Sequence, residues 1–109
     1  MKDRIEIKKS LIPYNFNILL AGEVFNIRVD YNKAADLFVL RLEKNGETIC
    51  AGEPVIYGVP LWQDVFVSGK YPVLVIVPLD EAQNMNAVTY DNLNETVFLI
   101  IDNGSEAIE

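Results

Sequence analysis

Carboxylates are the side chains with the most chemical capacity in this sequence. The chain has 16 aspartates and glutamates, one cysteine and no histidine. Because histidine is a common general base and metal ligand, its absence removes much acid–base and transition-metal chemistry. Asp80-Glu81 and the acidic and amide side chains of 91–95 offer oxygen ligands for Ca²⁺. Their spacing is not that of the twelve-residue calcium loop, and turn-forming hydrogen bonds explain the same residues.

The remaining candidates for catalysis are weak. A carboxylate pair drawn from Asp64, Asp80 and Asp91 could hydrolyse a glycan, but 109 residues leave little room for a substrate cleft. Cys50 falls in a predicted strand, without a histidine to activate it, and is expected to pack as a small apolar side chain. No phosphate-binding loop and no nucleophile elbow is present. We therefore expect no catalytic residue, no cofactor and no metal.

Aromatic side chains at strand ends and in loops are the better candidates for function. Trp62 follows Pro60-Leu61, where it either fills one end of the core or anchors a partner. We favour packing for Trp62 itself and docking for the loops 61–71 and 79–96, because loops on a rigid scaffold usually carry recognition. The residues considered for an interface are Leu61, Trp62, Phe66, Tyr71 and Tyr90.

The elements that position these residues are predicted strands. Apolar and polar side chains alternate along most of the chain, as in an antiparallel sheet with one face in water. Two stretches, 73–77 and 97–101, are continuously apolar and indicate more deeply buried strands. Strands are predicted at 14–20, 25–31, 37–44, 48–51, 55–59, 73–77 and 97–101, with a short one at 5–7.

Turn residues separate these strands. Asn45-Gly46 predicts a tight hairpin, because both central residues of a type I′ turn need a positive φ. Gly52 indicates a bulge or bend in the returning strand. Pro60 and Pro78 are predicted to end strands, since proline cannot donate to a sheet ladder. Asp80 is a candidate N-cap for one helical turn.

The whole chain fits one domain, 1–109, with a core over about 5–102 and a loose tail at 103–109. The pattern predicts an all-β fold, either a small antiparallel β-sandwich or a partly closed β-barrel. A net charge of −7 argues against nucleic-acid binding, which needs clustered Lys and Arg. No apolar run is long enough for a membrane span and no secretory signal is visible, so we expect a cytoplasmic origin and no membrane contact.

The order of turn and strand residues along the chain carries a family resemblance. Its early part consists of Tyr14-Asn15-Phe16, residues 22–29, Tyr31-Asn32, Phe38-Val39-Leu40, Asn45-Gly46-Glu47, Gly52 and Tyr57-Gly58-Val59-Pro60-Leu61. Its later part consists of Asp91-Asn92-Leu93 and Val97-Phe98-Leu99-Ile100. Over roughly residues 5–102 this succession resembles the baseplate plug domain family of contractile-tailed phages, which includes a cyanophage baseplate plug and many prophage proteins.

The resemblance implies a structural virion protein without catalytic residues. Such a plug would be made in the host cytoplasm and assembled at the baseplate end of the tail tube, on hub, spike or tail-tube proteins. A homo-oligomer within the tail is left open. Two other classes also remain open: a small β-barrel that binds a ligand or cell-surface polymer, and a carboxylate enzyme.

Overall fold

A computed structural model describes residues 3–62, 75–80 and 86–102. The described residues form seven strands and one short 3-10 turn, η1, at Lys9–Leu11. The strands are β1 (Asp3–Ile5), β2 (Tyr14–Leu20), β3 (Glu23–Asn32), β4 (Leu37–Lys44), β5 (Glu47–Pro54), β6 (Val75–Asp80) and β7 (Val97–Asp102). The all-β prediction is confirmed. The predicted loose tail, 103–109, lies outside the described residues.

The strands form two antiparallel sheets. One is a four-stranded meander in the order β2-β3-β4-β5, and the other has three strands in the order β1-β7-β6. Neither described sheet closes on itself, so the fold is a β-sandwich rather than a barrel. No helix in the described ranges is long and apolar enough to cross a membrane.

The core follows directly from the alternation of apolar residues. Phe25, Ile27 and Val29 of β3 are at most 1% exposed. They join the inward-facing residues of β4 and the apolar residues of the other sheet in one cluster. Burying each such side chain contributes about 1.5–3 kcal/mol. The opposite face of the β2–β3 hairpin is polar except at Leu19 and Val24, and there Asn26 Nδ2 donates to Asn17 Oδ1 at 3.0 Å.

Two tight turns build the meander. Asn45 and Gly46 have φ of +54° and +80° and join β4 to β5. Ala21 and Gly22 have φ of +53° and +82° and join β2 to β3. Asn45-Gly46 is the stronger turn signal in the sequence. The second turn is also indicated, by Gly22, although its Ala21 is a residue that rarely adopts the left-handed region.

The β4–β5 pairing is irregular where a bulge was expected. Its register shifts between Leu40 and Leu42, so that Ala51 and Gly52 together occupy the position opposite Arg41. A second shift lies between Leu42 and Glu43. Each shift places an extra residue on β5 and therefore bends this strand.

The predicted strand at 55–59 is wrong. β5 ends at Pro54, and the following residues make a turn in which Val59 N–H donates to the Ile56 carbonyl at 3.1 Å. Gly58 adopts a φ of +75° there, a conformation that glycine reaches without strain. Beyond this turn the chain runs along the outer edge of β6. We call residues 55–62 the strap.

Pro78 does not end β6, which continues to Asp80. The Pro78 carbonyl accepts a hydrogen bond from Gly58 N–H at 2.9 Å, so its backbone points towards the strap and away from β7. Proline is tolerated because β6 is an edge strand of its sheet and loses no ladder bond there. Asp80 is the buried last residue of β6, and Tyr57 OH donates to its carboxylate. The helical turn that Asp80 was expected to cap would follow it, outside the described residues.

Candidate functional site

The strongest candidate site is an open cleft of about 450 Å³ where the β3–β4 connection meets the segment before β7. We call it the Tyr90 cleft. Its lining combines two phenols, two carboxylates and one ammonium group, from Tyr31, Lys33, Asp36, Tyr90 and Asp91. Such a surface can stack on a partner and form hydrogen bonds with it.

Three aromatic rings connect the cleft to the core. The Tyr31 ring lies 4.9 Å from that of Phe38 and 5.0 Å from that of Tyr90, measured between centroids. The Phe38 and Tyr90 rings stack at 6.0 Å. Phe38 is fully buried, whereas 39% of Tyr90 is exposed. Tyr90 is therefore a surface ring supported from below by the core.

Asp36 holds the two sides of the cleft together. One of its carboxylate oxygens accepts hydrogen bonds from Tyr31 OH at 2.6 Å and from Tyr90 N–H at 2.9 Å. Asp36 itself has a φ of +49°, within the connecting turn. A single carboxylate thus fixes both a phenol from its own hairpin and a backbone group 54 residues away.

These hydrogen bonds also set the charges of the cleft. The hydrogen bond to Asp36, with burial and the nearby carboxylate charges, raises the pKa of Tyr31 to about 12. The hydrogen bonds from Tyr31 OH and then from Tyr90 N–H lower the pKa of Asp36. At neutral pH Asp36 is ionised and Tyr31 is protonated, so this pair is a fixed contact and not a proton-transfer pair.

Lys9, in the short 3-10 turn η1, contacts Tyr90 from the N-terminal segment of the chain. Its Nζ donates to the Tyr90 carbonyl at 2.7 Å and lies 5.2 Å from the centre of the Tyr90 ring. Because Asp36 binds the N–H of Tyr90 and Lys9 binds its carbonyl, the backbone of this residue is held on both sides. An exposed ring on a fixed backbone loses little conformational freedom when a partner binds.

The segment that carries Tyr90 is folded around Asn92. The Asn92 carbonyl accepts hydrogen bonds from the N–H groups of Glu95, Thr96 and Val97, each at 3.0 Å. Its side-chain oxygen accepts from Thr89 N–H at 2.8 Å, and its Nδ2 donates to the Ala87 carbonyl at 2.9 Å. The turn-forming interpretation is confirmed for Asn92. Over the part of the chain described, no group of three or more acidic or cysteine side chains could hold a metal ion.

The residues considered for an interface lie in different environments. Leu61 and Trp62 are 7% and 4% exposed and belong to the core cluster. Trp62 has a φ of +60°, and its backbone N–H donates to the Glu53 carboxylate at 2.8 Å. Tyr90 is on the surface. Phe66 and Tyr71 lie outside the described residues, as do Asp64 and Glu81.

Sequence reasoning missed the partners of Tyr90. In the sequence, Tyr31 ends the predicted strand 25–31, and Lys33 and Asp36 fall between this strand and the one predicted at 37–44. The local signal was the turn chemistry of Asn32, whose side-chain oxygen accepts a hydrogen bond from Ala35 N–H at 3.1 Å. Nothing local indicates that this turn meets Tyr90, because that contact depends on how the two sheets pack.

A second open cleft, of about 470 Å³, is lined by Arg4, Glu6, Asn94 and Phe98. The Arg4 guanidinium lies 3.9 Å from the centre of the Phe98 ring, a favourable cation–π contact. Asn94 is tied to the N-terminal segment, since its Nδ2 donates to the Ile7 carbonyl. This cleft lacks an exposed aromatic anchor and is the weaker candidate.

A small antiparallel β-sandwich with an exposed and rigidly held aromatic side chain is typical of a protein that acts by binding. The family model described as cyanophage baseplate Pam3 plug gp18 matches residues 3–105. The chain therefore belongs to this phage baseplate plug family, and the predicted resemblance is confirmed. Its family name is that of a structural baseplate component. A comparison with curated proteins found no match.

Proposed function

We propose that this chain is the plug of a phage or prophage tail baseplate, made in the host cytoplasm and assembled at the end of the tail tube. It closes the tube by docking on hub, spike or tail-tube proteins and performs no catalysis. Family membership supports the location. The net charge of −7 also disfavours a role in binding the packaged nucleic acid.

The observation that carries the docking proposal is the state of Tyr90. Tyrosine is enriched among residues that dominate binding energy, because it offers a large apolar ring and a polar tip at low entropic cost. The Tyr90 ring is 39% exposed while its backbone is held by Asp36 and Lys9. We propose the Tyr90 cleft as the docking centre. The rest of the loop 79–96 and the loop 61–71, which contains Phe66 and Tyr71, remain proposed as further docking segments.

The test is binding of the recombinant chain to the hub, spike and tail-tube proteins encoded in the same genome. Tyr90→Ala should weaken binding to one of them by at least about 2 kcal/mol, as loss of a central aromatic anchor does. Tyr90→Phe keeps the ring and should bind nearly as well. Val24→Ala, which shortens a 58% exposed apolar side chain that does not line the cleft, is the control.

Two outcomes would contradict this proposal. Failure of the wild-type chain to bind any of these proteins, together with its absence from purified particles analysed by mass spectrometry, would reject the plug function. Binding that is equal for wild type and Tyr90→Ala would reject the Tyr90 cleft as the docking centre. The competing role, a module for a small ligand or surface polymer, predicts glycan binding by the isolated chain instead.

A further inference from the structure

The outer edge of β2 differs from the other sheet edges of the described strands. The strap covers the edge of β6, where Gly58 and Leu61 donate to the Pro78 and Ile76 carbonyls. β5 carries two register shifts and ends in a proline, and β1 has only three residues. Proteins use such covers, bulges and short strands to prevent pairing with other chains.

β2 has none of these protections. It is seven residues long, pairs regularly with β3, and contains neither proline nor a charged residue. Among the described residues, no backbone hydrogen bond reaches its outer edge. Its inward-facing Tyr14, Phe16 and Ile18 are only half-buried, and its outward-facing Leu19 is 67% exposed. The strand is therefore suited to pair with another strand.

The direction of the β2 backbone defines which groups are available. The two-residue turn at Ala21-Gly22 makes Leu20 and Glu23 a hydrogen-bonded pair, and such pairs alternate along an antiparallel hairpin. The N–H and carbonyl groups of Asn15, Asn17 and Leu19 consequently point away from β3. These three residues lie symmetrically about Asn17.

We propose that this edge pairs with the same edge of a second copy of the chain, antiparallel and with Asn17 on the two-fold axis. Asn17 then faces Asn17, and Asn15 faces Leu19, which gives about six backbone hydrogen bonds between the copies. On the inner face Phe16 of one copy lies beside Ile18 of the other. Aromatic and β-branched side chains are favourable neighbours across an antiparallel pair.

Charge favours a second copy as the occupant. β2 is uncharged in a chain of net charge −7, so two copies meet here without charged side chains from either strand opposing each other. Antiparallel pairing brings the Tyr14 end of one copy, where Lys8 N–H donates to Tyr14 OH, to the Glu23 end of the other. At that end Glu23 forms an ion pair with Lys44 of its own chain, so its carboxylate is already neutralised where the exposed Lys8 of the other copy approaches.

The inference goes beyond the proposed function and does not depend on it, because it concerns the isolated chain. One pair of edge strands buries less surface than a standard interface, so we expect a weak dimer with a dissociation constant of about 10–1,000 µM. Analytical ultracentrifugation over a concentration series up to about 1 mM should show a monomer–dimer equilibrium.

Asn17→Lys tests the contact at the axis. Two lysines would then lie directly opposite each other, and the dissociation constant should rise at least about tenfold. Asn26→Lys is the control: it removes the same Asn17–Asn26 hydrogen bond, together with the one from Asn15 Nδ2 to Asn26 Oδ1, and adds the same charge one strand further from the axis. It should dimerise like the wild type. Far-UV circular dichroism and urea midpoints check that both variants fold.

Cross-linking tests the register. In a Cys50→Ser background, Asn17→Cys should form a disulfide between copies on mild oxidation, because hydrogen-bonded antiparallel pairs have Cα atoms about 5.5 Å apart. Asn26→Cys should not. A chain that stays monomeric at about 1 mM, or a dimer that Asn17→Lys leaves intact and Asn17→Cys fails to cross-link, would overturn the proposal. Hub binding can succeed or fail independently of either result.

Discussion

Asp36 determines how the Tyr90 cleft responds to pH. Its folded pKa is lowered, so its charged form stabilises the fold above the pKa of a free carboxyl, about 4. This contribution is lost as the pH falls through the lower folded pKa. Tyr31 behaves in the opposite sense. Its folded pKa is raised, so its protonated form stabilises the fold below the pKa of a free phenol, about 10, and this contribution is lost as the pH rises towards about 12.

Asp36→Asn should therefore destabilise the protein at pH 7, and the difference in stability between the variant and the wild type should be smaller at pH 3. The measurement is the urea midpoint of both proteins at the two pH values. The pKa of Tyr31, followed by phenolate absorbance with Tyr31→Phe as reference, should fall towards 10 in the same variant. Asp91→Asn is the control: it removes a charge from the same cleft and should lower the pKa of Tyr31 less than Asp36→Asn does, because Asp91 acts on Tyr31 through its charge alone. An equal difference in urea midpoint at both pH values would contradict a stabilising role for the ionised Asp36.

At the scale of the element, the requirement for glycine in the turn of the Asn45-Gly46 hairpin comes from backbone conformation and not from side-chain packing. Gly46 has a φ of +80°, and a Cβ added there would meet no atom within 4 Å. Gly46→Val should cost about 1–3 kcal/mol, because a β-branched residue is strained in the left-handed region. Gly52→Ala is the comparison: its Cβ would lie 3.4 Å from Val39 Cγ1, at ordinary contact distance. Equal thermal unfolding of wild type and Gly46→Val would contradict this account.

The regular strands were predictable because their apolar pattern is contained within one segment. β2, β3 and β4 lie close to the ranges predicted from alternation, and β7 lies close to the range predicted from its continuous apolar run. The strap was not predictable, because Val55, Ile56 and Val59 are apolar enough for a strand while the φ of Gly58 forms a turn. The prediction that Pro78 ends a strand was wrong for a different reason. A proline is tolerated within β6 because β6 lies at a sheet edge, and the sequence does not show that position. Contacts between distant segments, such as Asp36 with Tyr90, leave no local pattern.

At the scale of the whole molecule, the strap connects the two sheets. Val55 N–H donates to the Phe38 carbonyl in β4 at 2.9 Å, and Leu61 N–H donates to the Ile76 carbonyl in β6 at 2.8 Å. Trp62 ends the strap in the core, 4% exposed. Its side chain therefore contributes to packing between elements that lie far apart in the sequence.

Trp62→Ala should cost about 3–5 kcal/mol of unfolding free energy, as large core truncations do. Domains of this size have only about 5–15 kcal/mol in total, so this variant will be close to unfolding. Trp62→Phe keeps most of the volume and should remain folded with a smaller loss. Urea unfolding followed by circular dichroism measures both. Because its side chain is buried within the domain, Trp62→Phe should also bind the tail partner as tightly as the wild type does. Normal stability of Trp62→Ala with lost binding would instead place Trp62 in the interface.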